Sequence, residues 1–425
     1  MPSITNFLPS LSHTRPLTAR ARLLCYVSAL AAVALIFSAI ASPALAVERI
    51  SVLPGPNGNV NVISEPDSNG TRYLGGSFTA FDPWDTGSGA LVGATSGAVD
   101  PSFPKVNGSV RASAADGAGG FYIGGSFTTV DGTARNNAAH INADGSLSAW
   151  NPDLDGSVNA LAVSGSTVYL GGGFTTVGGT ARNHAAAVGT DGTLTAWNPE
   201  TNYDVYALAV SGSTVYLGGD FSTVGGTARN YAAAVGINGT LSNWDPSLNE
   251  RVYAVAVSGS TVYLGGDFTK VFSNTADETE RNFAAAVGTD GTLSDWNPNL
   301  DSTVNALAVS GSTVYLGGDF TCIGSTNPND CEGGGGAIRS RAAAVGTNGT
   351  LDPIWKPNLN GAVSALAVSG STVYLGGNFN TVFGTARNYA AAVGTDGTLS
   401  DWNPNLDNYV SALSLIHISE PTRPY

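Results

Sequence analysis

Apolar residues along this chain come in short bursts cut by turn residues, and the bursts recur. In the stretch from Asn202 to Asn249, Val205 to Val210 is an apolar run ending at Ser211-Gly212-Ser213. Thr214 to Leu217 follows, rich in β-branched and aromatic side chains, and stops at Gly218-Gly219. A third run, Tyr231 to Val235, leads into Asn238-Gly239, a pair suited to a type I′ hairpin turn. Leu241 to Trp244 is the fourth run, and Asp245-Pro246 ends it. The 3.6-residue period of a helix is absent, so the pattern predicts four short antiparallel strands.

Close copies of this unit fill most of the chain. The Phe of a Gly-Gly-x-Phe core stands at Phe78, Phe127, Phe174, Phe221, Phe268, Phe320 and Phe379. From Phe127 to Phe268 the spacing is 47 residues, and the later copies are stretched by insertions. The copies run over about 58–106, 107–155, 156–202, 203–249, 250–301, 302–360 and 361–407. Four short strands per repeat are the unit of a propeller blade. Inner runs rich in Ala and Gly fit sheets packed on both faces. The expected fold is therefore all-β: a β-propeller of four-stranded antiparallel blades, with seven complete repeats, over residues 47–413.

Composition sharpens this picture. The 425 residues include 55 Gly and only 12% charged residues, about twice the usual Gly share and half the usual charge. With 42% hydrophobic residues, the chain is not of a disordered type. The formal net charge is -14, and residues 1–46 carry three Arg and no acid, so the remainder carries -17. A surface of that sign repels phosphate backbones, which argues against nucleic acid as a partner. Solubility outside the cell is its simplest meaning.

The ordered set G-G-x-F, G-G-T-A-R-N, D-G-T-L and W-N-P resembles the bacterial delta-60 type β-propeller repeat family, over about residues 58 to 413. That resemblance implies the fold and an exported setting, and no reaction. The first copy departs most: it lacks the repeat Arg, and Phe103 stands where later copies have Trp.

Both ends carry further expectations. Arg15, Arg20 and Arg22 precede an apolar run from Leu23 to Ile40 and the small-x-small ending Ala44-Leu45-Ala46. This reads as a secretory signal over 1–46, in preference to a retained anchor, and no later segment is apolar enough to span a bilayer. A secreted or cell-surface location follows. Ile50 to Val52 aligns with a fourth strand, and Tyr409 to Leu413 begins a new first strand. Together they suggest a native ring of eight blades, closed by strands from both ends and truncated in this chain. Residues 414–425 look like translated adapter sequence.

Candidate chemistry is sparse. Arg135, Arg182, Arg229, Arg281, Arg339 and Arg387 share one repeat position. They read as ties to backbone carbonyls or to a carboxylate such as Asp220, Asp267 or Asp319, in preference to anion sites. Trp150, Trp197, Trp244, Trp296, Trp355 and Trp402 read as packing at the outer blade edge, in preference to sugar platforms. Cys322 and Cys331 are expected to form a disulfide, worth roughly 2–3 kcal/mol by loop closure. An insertion holding Asp277, Glu278 and Glu280 is a weak metal candidate. No cofactor is called for, and calcium has no specific motif.

The tight turns should share one rim and the Phe-to-Arg loops the other, where variation points to a binding surface. A single position in the innermost strand reads Asn61, Arg111, Asn159, Tyr206, Tyr253, Asn305 and Ser364. Its neighbours are apolar, so Arg111, Asn159, Tyr206, Tyr253 and Asn305 are expected to line a central channel, facing either water or a polar ligand. No H-E-x-x-H, phosphate loop or nucleophile elbow occurs. Two functions stay open: a non-catalytic scaffold binding a glycan or protein, or a carbohydrate-active hydrolase or lyase using channel-mouth carboxylates.

Overall fold

The computed structural model describes residues 60–63, 71–76, 87–93, 99–100, 103–273, 275–325, 331 and 333–404. In the first four segments, side chains are described only at residues 87 and 88. The signal segment 1–46, Ile50 to Val52, Tyr409 to Leu413 and the tail 414–425 lie outside the described residues, and with them the strands expected to complete an eighth blade. Residues 1–52 and 53–425 form two units, and all that follows concerns the second.

The second unit is an all-β propeller. In blade 4 the inner strand Val205–Ser211 pairs antiparallel with Thr214–Gly219, which pairs in turn with Ala232–Gly236. Blades 3, 5, 6 and 7 repeat this order, each with a two-stranded side hairpin such as Thr223–Val224 with Thr227–Ala228. In blade 2 the second strand, Phe121–Val130, is long enough to carry the hairpin within the main sheet. Blade 1 has four strands, Val60–Ile63, Thr71–Gly76, Gly89–Gly93 and Val99–Asp100.

The fourth run of the later blades is shorter than its pattern predicts. In blade 4 it joins the sheet through the Val235–Leu241 bridge and a bond from Ser242 N to the Ala234 carbonyl. Trp244 then leaves the sheet for the neighbouring blade, and Pro246 has no N–H with which to extend the ladder.

Blades follow one another in chain order. The inner strand of each touches that of the next, and the inner strand of blade 1 lies beside Val363–Ser369 and Thr372–Gly377 of blade 7. The seven described blades thus meet end to end. Small residues set the spacing. A Cβ on Gly171, Gly218, Gly265 or Gly317 would stand 2.5–2.7 Å from a Val methyl on the following blade's inner strand. Only Gly lets that Val seat there.

Trp and Tyr lock the outer part of each junction. The Trp of blades 2 to 7 is 0–4% exposed and meets its own blade's Tyr edge to face, with centroids 5.0–5.3 Å apart. In blades 2 to 6 its Nε1 donates to a Gly carbonyl of the next blade at 2.8–3.1 Å. These Trp are therefore packing residues, unavailable as sugar platforms. Phe103 is buried beside Val106, Val110 and Phe121 of blade 2, in the place later taken by Trp. Trp402 Nε1 is buried with no acceptor among the described residues.

The repeat Arg is a backbone tie. In all six copies Nη1 donates to the preceding residue's carbonyl and Nη2 to the carbonyl thirteen residues on. Cys322 and Cys331 form a disulfide, with Cα atoms 5.7 Å apart. Among the described residues no helix is long and apolar enough to cross a membrane.

Candidate functional site

The two rims divide as their turns predict. Thr190 N donates to Ser166 O and Ile237 N to Ser213 O, which joins the Ser-Gly-Ser and Asp-Gly or Asn-Gly turns on one rim. On the other, Leu154 bridges Val177 and Gly178 N reaches Asp153 O, so the side hairpins and the Trp-Asn-Pro connections lie together.

At this second rim every inner strand carries a β-bulge. The register shifts between Val205 and Ala207, leaving Tyr206 as the extra residue. The same shift isolates Asn61, Arg111, Asn159, Tyr253, Asn305 and Ser364. The variable polar column is thus the bulge column. A bulged residue is unpaired and its side chain is re-aimed, so its identity can change without breaking the ladder. The second Gly of each Gly-Gly pair accommodates the bulge: a Cβ on Gly172 or Gly266 would collide with the carbonyl of the residue just before the inner strand.

A second variable column lies at the same end. Asn137, His184, Tyr231, Phe283, Arg341 and Tyr389 follow the Arg-Asn (in blade 6 Arg-Ser) of each repeat, and all are left-handed, with φ of 62–70°. The conformation costs about 1–2 kcal/mol for a residue with a Cβ. It lets one peptide tie two strands: the N–H donates to the repeat Phe carbonyl, and the carbonyl accepts from the second Gly, all at 2.7–3.0 Å. Because the backbone makes these bonds, the side chain is free to vary.

Side chains from both columns, and residues just before the inner strands, meet carboxylates within blades and across their junctions. Arg251, just before the inner strand of blade 5, pairs with Asp220 of blade 4 at 2.9 Å. Tyr253 OH donates to Asp267 Oδ2 at 2.7 Å, and Thr303 of blade 6 donates to Asp267 Oδ1 at 2.6 Å. Asn305 Nδ2 donates to Asp319 Oδ2 at 3.1 Å, and Arg341 Nη1 donates to the Asp319 carbonyl and stands 3.7 Å from its carboxylate. His184 Nδ1 lies 3.5 Å from Asp204 Oδ1 of blade 4. The result is a polar arc over blades 3 to 6.

The electrostatics follow from these neighbours. Burial, then the bond to Asp267, pushes the Tyr253 phenol up to about 12. Burial and the charges of Asp204 and Asp220 raise Tyr206. Burial, Glu250 and Asp220 raise Tyr231. The hydrogen bond and charge of Asp220 raise Arg251. These phenols stay protonated at neutral pH; Tyr253 spends its one O–H on Asp267 and can only accept from a ligand.

The expected channel residues come together in pairs. Arg111 Nη1 donates to Asn159 Oδ1 at 3.1 Å, and the rings of Tyr206 and Tyr253 lie 5.7 Å apart, tilted by 38°. Asn305 turns to its own blade's Asp319. Asp220, Asp267 and Asp319 do not pair with their blades' Arg229, Arg281 and Arg339, whose Nη groups hold backbone carbonyls. Instead they face the bulge column, the left-handed column or the next inner strand. Sequence reasoning missed Asp204, His184, Arg251, Thr303 and Arg341. Their signal was a repeat position whose charge changes from copy to copy. Of the weak metal candidates, Glu278 is paired with Lys270 at 2.6 Å. Among the described residues no three His, Cys, Asp or Glu side chains are grouped to hold a metal.

No family model matches the chain, and no curated protein does. Among solved structures it is similar to a computationally designed protein, Ika8, at 17% identity and a TM-score of 0.50, covering 85% of this chain and 93% of that one. The WD40 β-propeller domain of Doa1 aligns at 13% identity and a TM-score of 0.49, over 76% of this chain and 90% of that one. At 17% identity the first likeness bears on fold alone.

Proposed function

We propose that this protein is an exported, non-catalytic propeller that binds a glycan or a protein at the inner part of its long-loop rim. The observation that carries the reading is the bulge column. Seven equivalent positions are released from the ladder and hold polar or aromatic residues, and four of them meet in pairs across blade junctions, Arg111 with Asn159 and Tyr206 with Tyr253. A frame that is uniform elsewhere and varies there is organised for recognition. The disulfide in the blade 6 loop fits an oxidising compartment, as does removal of residues 1–46 as a secretory signal. Membership of the delta-60 type family is part of the same proposal.

A glycan and protein array probed with wild type, Arg111→Ala, Tyr206→Ala and Tyr253→Ala tests it. Binding without turnover, weakened in at least one variant, is the expected outcome. Release of shortened product from any polysaccharide would instead establish the hydrolase or lyase reading.

A further inference from the structure

The arc is not chemically even, and its centre lies at blades 4 and 5. There Tyr206 and Tyr253, bulge residues of adjacent inner strands, set two ring faces 5.7 Å apart at an angle of 38°. Polar groups already fixed in direction surround them. Asp220 is held by Arg251, and Asp267 by the hydroxyls of Tyr253 and Thr303. Each Asp267 oxygen accepts one of these bonds and, as a carboxylate oxygen, keeps a second lone pair to offer.

We infer, resting on the scaffold reading above, that this subsite takes an uncharged carbohydrate chain, with a sugar ring against Tyr206 and Tyr253 and its hydroxyls on Asp267, Asp220 and Arg251. Three physical points favour this class. A sugar ring presents an apolar C–H face beside hydroxyls that both donate and accept, which matches tyrosine faces edged by carboxylate and guanidinium. An anionic chain would face Asp204, Asp220, Asp267, Asp319 and Glu250 against Arg251 and Arg341, so repulsion exceeds attraction. A lysine-rich segment is drawn by the excess of carboxylates, but it brings no ring face for Tyr206 and Tyr253 and competes with Arg251 and Arg341 for the carboxylates they already hold. A neutral polyol leaves those ion pairs intact and uses the acceptor capacity they do not consume.

Preorganisation supports the same conclusion. The carboxylates are oriented by bonds from neighbouring blades, so little side-chain freedom is lost when a ligand arrives. Sugars are strongly hydrated, and a site that must replace their water bonds gains from partners already in position.

The test is calorimetric titration of the full chain with cellohexaose, laminarihexaose, maltohexaose, xylohexaose, polygalacturonate and pentalysine. At least one neutral hexasaccharide is expected to bind. Tyr206→Ala and Asp267→Asn should each weaken it by about tenfold or more, while Tyr206→Phe, which keeps the ring, changes affinity by no more than about threefold. Thr240→Ala on the opposite rim should bind as wild type does. Melting curves matched to wild type exclude misfolding as the cause of any loss. Preference for polygalacturonate or pentalysine, or sugar binding that survives Tyr206→Ala and Asp267→Asn, overturns the carbohydrate subsite and leaves the scaffold reading standing. No binding by any titrant overturns the subsite as well, and the scaffold reading then falls only if the array is also empty.

Discussion

Asp155 shows how a single side chain is chosen by its backbone neighbours. Its Oδ1 accepts from the N–H groups of Thr175 and Thr176 at 2.8 Å, and Thr175 Oγ1 donates to Oδ2. Asn107, Asn202, Asn249 and Asn360 accept the same pair of backbone bonds in other blades. Burial raises the Asp155 carboxyl, and the bonds from Thr175 and Thr176 outweigh it, leaving a value of about 2. The folded value lies below the ordinary 3.8, so the charged form's contribution is present above about pH 4 and is lost as pH falls through about 2. Asp155→Asn should fold, keep the neutral-pH stability within experimental scatter, and flatten the stability-against-pH curve between about pH 4 and 2. Urea unfolding at a series of pH values reads this directly. An unchanged acid slope would mean that the charge on Asp155 contributes nothing to that slope.

At the scale of the element, the bulge and the Gly-Gly pair are one device. The first Gly admits the next blade's Val, and the second admits the bulged backbone of its own blade. Gly218→Ala puts a Cβ 2.5 Å from Val252 Cγ1 and 2.9 Å from Val255 Cγ2, both on the following blade. Overpacking of that kind should cost about 1–3 kcal/mol, measured by urea unfolding. Adding Val252→Ala opens the collision, so the double variant should lose less than the two single losses combined; additive losses would show that the methyl contact is not the cause. The elements themselves were legible from alternation and turn residues, and so was the column holding Arg111, Tyr206 and Tyr253. That this column is a row of bulges was not legible. Val205-Tyr206-Ala207 reads as ordinary strand until its pairing with Gly218 and Gly219 is seen.

At the scale of the molecule, the Trp latches join successive blades, and the last one is open. Trp197 donates to Gly236 O at 2.9 Å, whereas Trp402, equally buried, has no acceptor among the described residues. Trp197→Phe keeps an aromatic ring but removes one of two bonds to the half-buried Gly236 carbonyl, which still accepts from Gly239 N, so it should cost about 0.5–1.5 kcal/mol more than Trp402→Phe. Comparing their denaturation midpoints tests this, and equal losses would show that packing alone accounts for the Trp column. By itself the sequence determined the first three strands of each blade, their order, the division of the rims and the structural work of Arg and Trp, because each follows from local alternation and short-range hydrogen bonds. The side hairpins and the shortening of the fourth run were not legible in it. Only the tertiary structure decided which residues share the site. Asp220 meets Arg251, and Asp267 meets Thr303, across junctions whose offset is set by how two sheets seat Val against Gly, and no period within one strand encodes that offset.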